Sequence, residues 1–149
     1  MNSLLKKLNL KNQKSVLVLN APADLNDVFT EFSEYIEVIT SVEIHETEFA
    51  LVFCTKLDEI QKFAPMVDKI MANEGLFWFA YPKGSSKKYK CEFNRDNGWQ
   101  VMGDLGYEPV RMVAFDEDWS ALRFKKAENI KKMVRDTKWR MSEEGKKKN

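Results

Sequence analysis

The chain has 149 residues, 44% of them hydrophobic and 32% charged, with a net charge of +1, which suits one domain with its own core and not a fibrous or unfolded chain. No apolar run approaches the ~20 residues of a membrane span or gives the N-terminal segment the look of a signal peptide, so the cytoplasm is the expected location and no membrane partner is expected. Two distant cysteines, Cys54 and Cys91, and one histidine, His45, leave no cluster with zinc-ligand spacing.

In chain order, an amphipathic turn at Leu4 to Leu8 precedes SVLVLN (Ser15 to Asn20). That run is continuously apolar and β-branched, as a strand covered on both faces should be. Ala21-Pro22 break it. Asp24 is expected to cap a helix with Leu25, Val28, Phe29 and Phe32 on one face. IEVIT (Ile36 to Thr40) is a weaker strand and FALVFC (Phe49 to Cys54) another fully apolar one. Thr55 and Asp58 have capping-box spacing. The helical period after them runs through Ile60, Phe63, Ala64, Val67, Ile70 and Met71, with a kink or restart expected at Pro65 and a stop at Gly75. LFWFAY (Leu76 to Tyr81) is the fourth strand.

A lysine-rich loop follows, with Lys83 set apart and Lys87, Lys88 and Lys90 expected in solvent. Asn94 is expected to cap a helix with Trp99, Met102 and Leu105 inward and Gly106 at its end. PVRMVAF (Pro109 to Phe115) and SALRFKK (Ser120 to Lys126) form a hairpin about the turn Asp116 to Trp119. A helix is expected from Ala127 to Met141, giving a single domain over residues 1–141, with 142–149 a disordered basic tail. From Lys125 onward there are ten basic and four acidic residues, +6 of the net +1, leaving −5 on the rest. Such a tail can meet nucleic acid or acidic surfaces, or simply keep a terminal helix in solution.

The alternation of strands and helices predicts an α/β fold with a mostly parallel sheet and helices on both faces. Only Ser41 to Glu48 join the second and third strands, too few for a crossover helix. An extended link is expected there, since eight residues span about 27 Å at about 3.4 Å each.

VLVLNAP, FALVFCTK, LFWFAYPKGSSKK and LGYEPVRMVAFDEDWSALRF together resemble an uncharacterised bacterial family, domain of unknown function 3052, over roughly Leu4 to Phe124. No activity comes with that resemblance. More distantly the layout, NEGLFWFAY and the closing hairpin resemble a shortened class I methyltransferase. That likeness implies a Rossmann-like three-layer sandwich of six strands in the order 2-1-3-4-6-5, the last antiparallel. Such enzymes seat the cofactor on a glycine-rich turn after the first strand. Here the turn is Asn20-Ala21-Pro22-Ala23, without glycine and with one backbone donor removed by proline. The acidic residue expected to hold ribose hydroxyls is at best Glu43.

Ligands of open α/β sheets sit at the carboxyl ends of the strands, where the order reverses. The implied crevice has Asn20, Ala21, Pro22, Cys54 and Thr55 at its lip, flanked by Tyr81, Lys83, Asp118 and Trp119. Lys83 there can hold an anion or pair with Asp118 or Glu117. Trp119 and Arg123 can hold a ligand or pack on the sheet edge. GSSKK lacks the second glycine of a phosphate-binding P-loop. No serine, cysteine or histidine has an evident base partner, so no catalytic residue is assigned.

The leading expectation is therefore a non-catalytic interaction or small-ligand-binding module with no cofactor, its partner a protein or a small anionic ligand. The alternative is an enzyme using S-adenosylmethionine or a nucleotide with an altered cofactor turn. A third reading is nucleic-acid binding through the basic C-terminal helix.

Overall fold

Strands with no polar face need cover on both sides, and that need organises the structure. The computed structural model describes residues 2–130. The expected basic tail and all but residues 127–130 of the expected last helix lie outside them; residues 127–130 are helical.

The elements are α1 (Ser3–Lys7), β1 (Ser15–Leu19), a 3-10 turn (Ala23–Leu25), α2 (Asn26–Phe32), β2 (Glu37–Ile39), β3 (Thr47–Phe53), α3 (Leu57–Asp68), β4 (Met71–Pro82), α4 (Gln100–Asp104), β5 (Tyr107–Ala114) and β6 (Trp119–Lys126). They build one sheet in the order β2-β1-β3-β4-β6-β5. The first four strands are parallel, and β6 runs antiparallel to both β4 and β5. The short link from β2 to β3 carries no helix, as its length requires. Among the described residues no helix is long and apolar enough to cross a membrane.

Alternate residues of each strand feed two cores. Val16, Val18, Phe49, Leu51, Phe53, Trp78, Ala80, Trp119 and Ala121 pack under α1 and α2 with Leu5, Leu8 and Phe32. Leu17, Leu19, Ala50, Val52, Phe77, Phe79, Leu122 and Phe124 pack under α3 and α4 with Ile60, Ala64, Val67 and Met102. Both sets are buried, so the period-two signal disappears from the sequence. The first core is tied by one buried polar contact, the Trp78 indole donating to the Leu8 carbonyl at 3.1 Å.

Three local expectations change. α3 runs unbroken through Pro65 and stops at Asp68, so Ile70 and Met71 leave the helix and Met71 opens β4. Proline in the last turn removes only one helical donor, and β3 captures the segment instead, Thr47 opposite Met71 ahead of an irregularity. Gly75 accordingly ends no helix. A β-carbon there would stand 2.7 Å from Met71 Sδ and 3.1 to 3.2 Å from the Ala72 and Glu48 carbonyls. Asn94 opens a turn rather than α4, its side chain accepting from the Asp96 N–H at 2.8 Å. Gly106 does close α4, in a left-handed conformation at φ 91°.

Candidate functional site

The carboxyl ends of β1, β3 and β4 and the β5–β6 turn lie at one edge of the sheet, with the order reversing between β1 and β3. Two neighbouring features occupy that edge.

The first is the crevice after β1. Asn20 leaves the strand in the left-handed region, φ 62°. Asparagine tolerates that region better than most other residues with a β-carbon, so the chain turns here without a glycine. Its amide Nδ2 donates across the crevice to the Phe53 carbonyl (2.8 Å) and to Glu59 Oε2 (3.2 Å). Glu59 Oε1 accepts from the backbone N–H groups of Thr55 (2.8 Å) and Lys56 (3.2 Å). Burial pushes the Glu59 carboxyl up, but the Thr55 N–H, the Asn20 amide and the Lys56 N–H outweigh it and hold the group below its ordinary range. A carboxylate is thus fixed at the start of α3, where the helix dipole also favours it.

Sequence reading missed Glu59. It placed the capping pair at Thr55 and Asp58, one residue early, and Lys56–Glu59 is the spacing that is used. Ala21 and Pro22 line this turn half-buried, and Thr55 sits at its lip. Cys54 is buried, and that burial, then the Glu59 charge, pushes its thiol far up, leaving it inert as a nucleophile. Glu43 is exposed on the β2–β3 link, its N–H on Ser41 Oγ.

The second feature is a cavity of about 380 Å³ beside the crevice, lined by Asp24, Leu25, Lys88, Tyr89, Asp116, Glu117, Asp118 and Trp119. The loop after β4 closes over it. Tyr89 packs its ring on Trp119, centroids 4.9 Å apart, and donates its hydroxyl to Asp24. Lys88 is exposed to solvent as expected and also meets Asp24, at 2.6 Å. Hydrogen bonds from Lys88 and then Tyr89 bring the Asp24 carboxyl down to about 2.

The other predicted residues divide. Asp118 is brought here, but its carboxylate accepts from the Ser86 hydroxyl (2.9 Å), and Lys83 reaches it only through a backbone N–H to the Asp118 carbonyl (2.8 Å). The ammonium of Lys83 has no ion-pair partner among the described residues. Trp119 is buried as the first residue of β6, set on Phe53, with its indole Nε1 unpartnered. Tyr81 is not at the lip: it packs on Phe93 and Trp99 in the α3/α4 core, its hydroxyl on Met112 Sδ. Among the described residues no group of three or more His, Cys, Asp and Glu is placed to hold a metal ion.

An open sheet in this order, with its last strand reversed and its crevice between the first and third strands, is the Rossmann-like fold of methyltransferase type. The chain is similar to a S-adenosylmethionine-dependent methyltransferase from Aquifex aeolicus (TM-score 0.56, 13% identity, covering 82% of this chain and 87% of that one). It is also similar to the N-methyltransferase NodS from Bradyrhizobium japonicum WM9 (0.54, 11%, 83% and 93%). A third likeness is magnesium protoporphyrin IX methyltransferase from Synechocystis PCC 6803, solved with bound S-adenosylmethionine (0.52, 7%, 84% and 75%). No protein-family model and no curated protein matches the chain.

These likenesses correct the leading expectation. A non-catalytic module without a cofactor was inferred from a glycine-free turn. The solved structures named above are methyltransferases, one with its cofactor bound, and that likeness favours the alternative reading over the non-catalytic module.

Proposed function

We propose that this chain is a S-adenosylmethionine-binding, methyltransferase-type domain, with asparagine in place of glycine in the cofactor turn. A nucleotide is the neighbouring ligand class. The observation that carries this reading is the left-handed Asn20 at the reversal point of a methyltransferase-ordered sheet. Asn20, Ala21 and Pro22 would form the floor for the ligand. Glu59 would offer a carboxylate to an ammonium or a ribose hydroxyl, and Thr55 a hydroxyl beside it. When bound, the cofactor supplies a sulfonium methyl group for transfer to a nucleophile. The acceptor would enter by the Tyr89–Trp119 cavity, whose rim carries Asp24, Asp116 and Asp118, with Lys83 beside it for any anionic group. We place this activity in the cytoplasm and within the resemblance to domain of unknown function 3052.

Thermal melts with S-adenosylmethionine, S-adenosylhomocysteine and adenosine nucleotides test the reading. At about 100 times its dissociation constant, a true ligand stabilises by about 2.7 kcal/mol, a rise of roughly 5–10 °C in Tm for a chain of this size. No shift with any adenosine compound at millimolar concentration would refute it.

A further inference from the structure

Half-buried cations are ordinarily matched by carboxylates or carbonyls, because desolvating an unpaired charge is costly. Arg123 is an exception. It lies in β6 between Trp78 of β4 and Arg111 of β5. Counting alternately from Trp119 and Ala121, it points to the α1/α2 face. Its Nε is buried without a hydrogen-bond partner. Residues directly opposed in an antiparallel pair hold their β-carbons about 4.5–5.5 Å apart, so Arg111 and Arg123 stand side by side. Burial, and then the Arg111 charge, push the Arg123 guanidinium below its ordinary range.

Among the described residues neither arginine has an ion-pair partner. Glu108, the acidic residue of β5, stands opposite Lys125 instead. Lys7 donates its Nζ to the Ala114 carbonyl (2.9 Å), three residues or about 10 Å along β5 from Arg111, and so stands outside the pair. The chain up to Asp24 carries four lysines, Lys6, Lys7, Lys11 and Lys14, and no acidic residue. Two neighbouring guanidinium forks with no ion pair among the described residues match the geometry and charge of a phosphate.

We infer that Arg111 and Arg123 form an oxyanion site that takes a phosphate group, carried by a small phosphorylated molecule or by a nucleic-acid backbone. The arriving charge cancels the repulsion between the two guanidinium groups and gives their N–H groups acceptors. The approach is by way of Arg111, which is exposed on the edge strand β5, while the Arg123 Nε lies beneath it. A shallow cleft of about 510 Å³ that Arg111 lines together with Arg95, Asp96 and Leu122 opens on the α3/α4 side and is not part of this site. The site lies four residues down β6 from Trp119, about 13 Å at about 3.3 Å per residue. It is therefore separate from the crevice and independent of the cofactor reading.

The test follows arginine Nε–H signals of the full chain by NMR. Inorganic phosphate is titrated in one arm and a short single-stranded oligonucleotide in the other. The Arg123 signal is expected to shift saturably with at least one probe, with binding about tenfold weaker in Arg111→Gln for loss of one charge-assisted fork. Arg111→Lys, which keeps the charge and loses the fork, falls between. Oligonucleotide binding no tighter than that of phosphate assigns the small ligand. Tighter oligonucleotide binding, with a log–log salt slope of about −1.4 from two phosphates at about −0.7 each, assigns the backbone. Arg111 is exposed, so Arg111→Gln keeps the fold, which its melting midpoint checks. No saturable shift with either probe, or an unchanged midpoint of binding in Arg111→Gln, overturns the inference.

Discussion

Replacing Asn20 separates its two roles. Asn20→Gly keeps the left-handed turn and loses the amide bonds to the Phe53 carbonyl and Glu59. The neutral bond to the Phe53 carbonyl contributes about 0.5–1.5 kcal/mol net and the bond to the Glu59 carboxylate about 1.5–3 kcal/mol, so a loss of roughly 2–4 kcal/mol is expected. Asn20→Ala loses the same bonds and must also hold φ near 62°. A β-carbon there costs roughly 1–2 kcal/mol, offset by the about 0.4–1 kcal/mol that alanine gains over glycine through the unfolded chain. The alanine variant should therefore be about 0.5–1 kcal/mol less stable than the glycine variant. Urea titrations followed by tryptophan fluorescence resolve this, the midpoint moving while the slope stays fixed. The functional expectation runs in parallel: Asn20→Gly keeps S-adenosylmethionine affinity or raises it, and Asn20→Ala lowers it. An alanine variant as stable as the glycine variant would show that the turn is not held left-handed in solution, and the case for Asn20 as a glycine surrogate would fall with it.

Two further outcomes follow from the packing. Gly75→Ala meets two carbonyls that cannot turn aside, at 3.1 and 3.2 Å, and should cost about 1–3 kcal/mol in the same denaturation assay; an unaffected midpoint would mean that the start of β4 is not held close to β3. The folded pKa of Asp24 is depressed to about 2. Its hold on Lys88 and Tyr89 is thus complete above the ordinary carboxylate range near 3.9 and is lost as pH falls through about 2. Emission from Trp119, beneath Tyr89, should change over that acid window in the native chain and stay flat in Asp24→Asn; the same transition in both would place its origin elsewhere.

What the sequence determines by itself is the layering. VLVL, FALVF and LFWFAY are apolar at every position because both faces of each strand are buried, and that signal survives without any partner in view. The link of residues 41–48 likewise excludes a crossover helix by length alone. Boundaries decided by competition are not local. The helical period running on to Met71 is real in the sequence, yet Thr47 of β3 draws that residue into the sheet. The crevice was legible as far as the strand ends reach, which is why Asn20, Ala21, Pro22 and Thr55 fall where topology put them. The contacts within it were not. Glu59 bonds to Asn20 across 39 residues, Lys88 to Asp24 across 64, and Arg123 meets Arg111 only because a bulged hairpin sets them in register. Tertiary structure decides these pairs because a side chain's partner depends on where separate strands end, and no periodicity along one segment records that.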